Sequence, residues 1–151
     1  FTPGVVGVTS RSGGITSAIS YYLTKAGIGQ STVIHVGGDA IVGLPHPKVL
    51  EEFQRDDGTK AVVMFGEIGS TQEETAADML EKGEFTKPLI AYIGGKAAKQ
   101  GTRFSHAGAI IEGGRGTWES KVERLRAAGA YVAESFNDIF RLAREVVERV
   151  G

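Results

Sequence analysis

Apolar residues recur along this chain in two rhythms. Short unbroken apolar runs alternate with longer stretches in which apolar residues return every third or fourth position, the signatures of strands and helices. Val5-Val6-Gly7-Val8-Thr9 is the first run and predicts a buried strand. After Ser10-Arg11-Ser12-Gly13-Gly14, residues Ile15, Ala18, Ile19, Tyr22, Leu23 and Ala26 fall on one helical face, and Gly27 and Gly29 stop that helix. Thr32-Val33-Ile34-His35-Val36-Gly37 predicts a second strand. Gly38-Asp39 and a proline-marked loop lead to a short helix over residues 47–55, closed by an Asp56-Asp57-Gly58 turn.

The third run, Ala61-Val62-Val63-Met64-Phe65-Gly66, is apolar throughout, as suits a central parallel strand covered on both faces. Glu67-Ile68-Gly69 leads into Ser70-Thr71-Gln72-Glu73-Glu74, which offers two overlapping capping boxes for a helix running through Leu80. Pro88 opens a fourth strand, Leu89-Ile90-Ala91-Tyr92-Ile93, and a long loop starts at Gly94-Gly95. Thr117 caps a helix whose inner face includes Trp118, Val122 and Leu125. Ala130-Tyr131-Val132-Ala133 predicts a fifth strand, and Ser135 with Asp138 starts a last helix striped by Phe136, Ile139, Phe140, Ala143, Val147 and Val150. This alternation predicts an α/β fold: a three-layer, doubly wound, five-stranded parallel sheet with flavodoxin-like strand order 2-1-3-4-5 and right-handed crossovers. Ligands of such sheets sit beyond the carboxyl ends of the strands. That rim is built from the loops at residues 10–14, 37–46, 66–70, 94–116 and 134–135.

Bulk composition narrows the function classes. The 151 residues suit one domain, 1–151, with enough chain for a core without staples. Seventeen basic and 18 acidic residues give a net charge of -1, so the electrostatic footprint of a nucleic-acid binder is missing. There is no cysteine, which excludes disulfides, thiolate metal sites and cysteine nucleophiles. The apolar runs are strand-sized and none is long enough to span a membrane. The chain shows no signal-peptide pattern and opens at Phe1 instead of a methionine, so it reads as a fragment or processed product.

Candidate chemistry gathers on the rim. His106 lies in Arg103-Phe104-Ser105-His106-Ala107-Gly108-Ala109-Ile110-Ile111, between small residues and glycine pairs that let backbone approach a ligand closely. Histidine is the side chain best suited to take up and pass on a group near neutral pH. His106 is therefore a candidate covalent phosphoryl carrier, although a loop histidine with only local hydrogen bonds fits the same residues. Glu67, just past the central strand, is the candidate to orient it. A carboxylate bonded to one ring nitrogen fixes the tautomer and makes the other the better nucleophile. Glu67 also fits a carboxylate favoured by the following helix dipole. Ser12, Gly13 and Gly14 open the first helix, where free amides bind anions, and equally fit an ordinary capped start. Lys96, Lys99, Arg103 and Arg115 flank the His106 loop, as phosphate partners or solvated cations. His35 reads as a satisfied core or edge histidine and His46, between prolines, as solvated. No pair of histidines has metal-site spacing.

Ser10-Arg11-Ser12-Gly13, Gly37-Gly38-Asp39, Gly66-Glu67-Ile68-Gly69, Ser105-His106-Ala107-Gly108-Ala109-Ile110-Ile111 and Gly113-Gly114-Arg115-Gly116-Thr117 stand in the order seen in the succinyl-CoA synthetase α subunit. The chain resembles the carboxyl-terminal ligase domain of that subunit over nearly its whole length. The wider superfamily of nucleoside-diphosphate-forming acyl-CoA ligases, with malate–CoA ligase and ATP-citrate lyase, shares these motifs. The resemblance implies that His106 is phosphorylated, that Glu67 holds it, and that Ser12, Gly13 and Gly14 line the phosphate site. It implies an acid–thiol ligase of the tricarboxylic acid cycle. Phosphoryl would pass from ATP or GTP, with Mg, through His106 to a carboxylate that CoA captures. It also implies a β-subunit partner, an amino-terminal CoA-binding domain absent from this chain, and a cytoplasmic or, in a eukaryote, mitochondrial-matrix location. Neither nucleic acid nor membrane is an expected partner. On this reading the 151 residues alone are inactive and bind no cofactor. The competing readings are a non-covalent phosphate- or nucleotide-binding flavodoxin-like module, and a docking domain with a dead site.

Overall fold

The structure is a computed structural model that describes residues 1–98, 106–111 and 116–151. In chain order the elements are β1 (Pro3–Ser10), α1 (Gly13–Lys25), β2 (Gln30–His35), α2 (His46–Arg55), β3 (Ala61–Glu67), α3 (Gln72–Glu81), β4 (Leu89–Gly94), α4 (Trp118–Ala127), β5 (Tyr131–Val132) and α5 (Phe136–Val150). The strands form one sheet in the order β2-β1-β3-β4-β5, and every pairing is parallel. This is the doubly wound order expected from the sequence.

Every residue of β3 is buried, which is why its sequence shows no polar alternation. Successive side chains still point to opposite faces. Val62 and Met64 enter one core with Val49, Leu50 and Phe53 of α2, Ala76, Ala77 and Met79 of α3, and Val122 and Leu125 of α4. Ala61, Val63 and Phe65 enter the other, with Ile19 and Leu23 of α1 and Ile139, Ala143 and Val146 of α5. Gly7 of β1 permits the first of these cores: a Cβ there would lie 2.8 Å from the Phe53 ring.

Two local expectations differ from the structure. The face of α1 turned to the core carries Thr16 and Ser20 beside Ile19 and Leu23, whereas Tyr22 is half exposed. The two hydroxyls bury without loss because each donates back one turn, Thr16 to the Ser12 carbonyl at 2.6 Å and Ser20 to the Thr16 carbonyl at 2.9 Å. Tyr22 instead packs on Phe136 and Phe140 of α5. Neither capping box forms: Thr71 precedes α3 without a side-chain cap bond, and Glu73 is drawn into the interior. The caps expected at Thr117 and Ser135 are present, accepting from the Ser120 and Asp138 amides. No helix among the described residues is long and apolar enough to cross a membrane.

Leu23 and Leu125 are both fully buried, one in each core. Leu23→Ala and Leu125→Ala should each lower unfolding free energy by roughly 2–5 kcal/mol. Tyr21→Ala, on the exposed side of α1, should cost less than about 1 kcal/mol. Urea unfolding of the three variants checks this.

Candidate functional site

Strands β1, β3 and β4 reach the same rim, with Ser10 paired to Phe65 and Glu67 to Gly94. Glu67 is the last residue of β3, and its side chain is 1% exposed. His106, from the β4–α4 loop, meets it there: Nδ1 lies 2.8 Å from the Glu67 Oε1. The imidazole is 31% exposed, so one edge faces the carboxylate while the ring remains reachable from outside. An ionised carboxylate can only accept, so Nδ1 carries the proton, and in the neutral ring Nε2 then keeps its lone pair.

The loops after β2 and β3 hold the His106 segment by backbone contact. The Gly108 amide donates to the Gly38 carbonyl at 3.0 Å, while within the segment the Ala109 amide closes a turn onto the His106 carbonyl at 3.1 Å. A Cβ at Gly38 would collide with the His106 ring, and one at Gly69 (φ 79°) with the Gly108 carbonyl. Ile68, Ala109 and Ile111 make a small buried cluster beneath, with Trp118 against it. Lys96 sits over the Trp118 ring, 4.8 Å from its centroid. Lys99, Arg103 and Arg115 lie outside the described residues.

Ser12 caps α1, and Gly13 and Gly14 begin it. A side chain at Gly14 would meet open space. Gly13 faces the ring of His35, which is exposed at the end of the edge strand β2. No hydrogen bond among the described residues joins this helix start to His106. The link is Arg11. Its amide donates to the Phe65 carbonyl at 3.1 Å, and its Nη1 donates to the carbonyls of Glu67 and Gly69, both at 2.9 Å. The structure thus brings Glu67 and His106 into contact and fastens Ser12, Gly13 and Gly14 to the adjacent strand end.

Beneath the pair lies a buried charged cluster. Arg11 is fully buried and donates to Glu73 Oε1 at 3.2 Å. Lys121, also fully buried, pairs with Glu73 Oε2, reaches Glu74 at 3.1 Å and donates to the Ser70 carbonyl at 3.1 Å. Burial pushes the Glu73 carboxyl up, but Lys121 and Arg11 outweigh it and hold the group down at about 2. Burial pushes the Glu67 carboxyl up, against the opposing pull of the His106 bond and the Arg11 charge.

His46 belongs to this cluster and is not solvated: it starts α2 facing the sheet and is fully buried. Burial lowers it to about 4. Its Nε2 donates to the Phe65 carbonyl at 3.1 Å, because a carbonyl only accepts, so Nδ1 accepts from the Thr9 hydroxyl at 2.8 Å. Two cluster members carried a signal in the sequence. Lys121 shares the inward stripe of Trp118, Val122 and Leu125, and Glu73 that of Ala76, Ala77 and Leu80, a cation and an anion on helices that pack together. Among the described residues no three His, Cys, Asp or Glu side chains cluster as a metal site.

Residues 9–131 match the model of the CoA-ligase family. The chain is 51% identical over 148 residues to the succinate–CoA ligase [ADP-forming] subunit alpha 1 of Archaeoglobus fulgidus, covering 98% of this chain and 50% of that one. It is 43% identical over 146 residues to an ADP-forming sulfoacetate-CoA ligase subunit from an Acholeplasma species, covering 97% and 49%. Among solved structures, an ATP citrate lyase of Methanosaeta concilii in complex with (3S)-citryl-CoA superposes with a TM-score of 0.92 at 29% identity, covering 99% of this chain and 25% of that one. The chain spans about half the length of the curated relatives it matches.

The cluster sets how stability depends on pH. The unfolded chain takes up a proton at His46 near pH 6.5 and the folded chain only near 4, so acidification through that window favours unfolding. Glu73 adds a second loss as pH falls from 4.5 towards 2. His46→Gln, which keeps a donor and an acceptor, should flatten the upper window and leave the lower one. Urea midpoints measured across a pH series check this. Glu73→Gln, which leaves Arg11 and Lys121 without their shared anion, should cost roughly 3–5 kcal/mol near neutral pH.

Proposed function

Because the chain belongs to the CoA-ligase family, we propose that it is the phosphohistidine-carrying part of an acid–CoA ligase of the succinate–CoA ligase alpha-subunit type. The observation that carries this reading is the 2.8 Å contact between His106 Nδ1 and the buried Glu67 carboxylate, on an imidazole still open to the rim. A loop histidine with only local bonds has no need of a buried acid. A covalent carrier needs one, because the acid fixes the ring and stabilises its proton on Nδ1 while Nε2 attacks.

The reaction proceeds in three transfers. Nε2 of His106 attacks the terminal phosphorus of a nucleoside triphosphate; the N–P bond forms and the bond to the diphosphate breaks. A carboxylate oxygen of the acid then attacks that phosphorus, the N–P bond breaks, and an acyl phosphate results. The thiol of CoA attacks the acyl carbon, loses its proton and expels inorganic phosphate. The amides at the start of α1, with Ser12, Gly13 and Gly14, stabilise the phosphoryl charge. Mg accompanies the nucleotide, as in phosphoryl transfers generally. A β subunit brings the nucleotide site and an amino-terminal domain brings CoA, in keeping with the half-length match to the relatives.

The test is phosphoryl uptake from radiolabelled ATP, with a β subunit and a CoA-binding domain of the same ligase type supplied. Wild type should acquire an acid-labile phosphohistidine. His106→Asn should acquire none, and label retained by that variant ends this reading. Glu67→Gln should slow uptake by about 10²–10⁴-fold, because the amide supports the wrong tautomer. The 151-residue chain by itself should turn over no succinate, ATP and CoA.

A further inference from the structure

We propose that Arg11 is the positioning residue of this site: its buried guanidinium, braced by Glu73 and Lys121, holds the Glu67 carboxylate as the acceptor for Nδ1 of His106. The kinetic part of this proposal rests on the phosphoryl-carrier reading; the structural part does not.

The geometry is specific. Arg11 Nε lies 3.7 Å from Glu67 Oε1, the same oxygen that His106 Nδ1 meets at 2.8 Å. Arg11 Nη1 grips the backbone turn that leads away from that carboxylate, at the Glu67 and Gly69 carbonyls. Glu73 Oε1 receives both Arg11 Nη1 and the Glu67 amide, at 3.2 and 3.1 Å, so guanidinium and strand end share one anchor. Arg11 Nε and Nη2 are buried with no hydrogen-bond partner among the described residues. The buried guanidinium thus stands within charge-pairing distance of two carboxylates, Glu73 at 3.2 Å and Glu67 at 3.7 Å, so its charge acts on Glu67 as well as on its anchor.

The groups facing Glu67 decide what that charge does. His106 approaches from the β4–α4 loop, Arg11 from the β1–α1 turn and Glu73 from α3. Behind them stand Lys121 of α4, Glu74 of α3 and the neutral His46 of α2. Without Arg11, Glu67 would face the anion Glu73 from a dry site, and protonation would be its cheapest relief. A protonated Glu67 donates to Nδ1 and drives the ring proton to Nε2. That tautomer has no lone pair at the outward nitrogen. Arg11 therefore acts on His106 through Glu67, at one remove from any substrate.

The experiment follows the Glu67 carboxyl-carbon and His106 imidazole-nitrogen NMR signals of this chain against pH, in wild type, Arg11→Gln and Arg11→Lys. Wild type should hold the Nδ1–H tautomer at neutral pH. Arg11→Gln should raise the Glu67 midpoint by about 1–3 pH units and populate the Nε2–H tautomer. Arg11→Lys keeps the charge without the fork, so it should keep the wild-type tautomer and move the midpoint by less than about 1 unit. A merely structural arginine would lower stability and leave the midpoint where it was. A wild-type Nε2–H tautomer, or a folded Arg11→Gln with unchanged midpoint and tautomer, overturns the proposal. Should Arg11→Gln not fold, an Nε2–H tautomer in Arg11→Lys overturns it instead. In the assembled ligase, Arg11→Gln should shift the acid limb of phosphoryl uptake upward with the Glu67 midpoint and leave the nucleotide KM unchanged. Uptake by His106→Asn would remove the phosphoryl reading while the NMR result still judged Arg11.

Discussion

A carboxylate at the end of a fully buried strand is the constraint on which this structure turns. Glu67 is 1% exposed, and water cannot hold its charge there. Protein groups must do so. His106 meets it from one side, Arg11 from another, and the peptide amide of Glu67 is itself tied to Glu73. Each of these partners comes from a different loop or helix, so the carboxylate draws the β1, β3 and β4 ends into one assembly. The parallel sheet makes this possible by ending its strands on one rim.

The cluster below is built with little margin. Arg11 and Lys121 are fully buried cations, and Glu73 is the anion between them. Buried ion pairs of this kind add little net stability over well-packed apolar side chains. What they add here is placement. Glu73 reaches both cations only because Gly66 has no side chain in its path, a Cβ there falling 2.5 Å from the Glu73 carboxylate oxygen. His46 completes the arrangement by staying neutral, since a third cation would compete with Lys121 and Arg11 for the same anion. Stability is thus exposed to pH at the groups that position the site.

Much of the fold was legible in the sequence. The continuous apolar run of β3 and the helical stripes of α4 and α5 each announced their elements, and the strand order followed from their alternation. The errors have physical causes. In α1 the apolar stripe pointed past Thr16 and Ser20, because periodicity cannot register hydroxyls that satisfy themselves one turn back. At α3 the pattern of a capping box concealed a glutamate needed inside. His46 looked solvated because flanking prolines mark loops, yet Pro45 is the N-cap of α2 and the histidine after it turns to the sheet. In the site, His106 and Glu67 were readable from their rim position and chemistry. Arg11 was not, because an isolated arginine in a serine-rich turn looks like surface.

The three loops around His106 touch through bare main chain at Gly38, Gly69 and Gly108. The glycines themselves have no rotamers to freeze when such surfaces meet, so the loops join at little cost in side-chain entropy. The same economy leaves the framework unable to diversify: at these contacts there is no side chain to exchange, and no room for one. Variation around His106 must therefore be drawn from the surrounding surfaces, while this inner collar stays as it is.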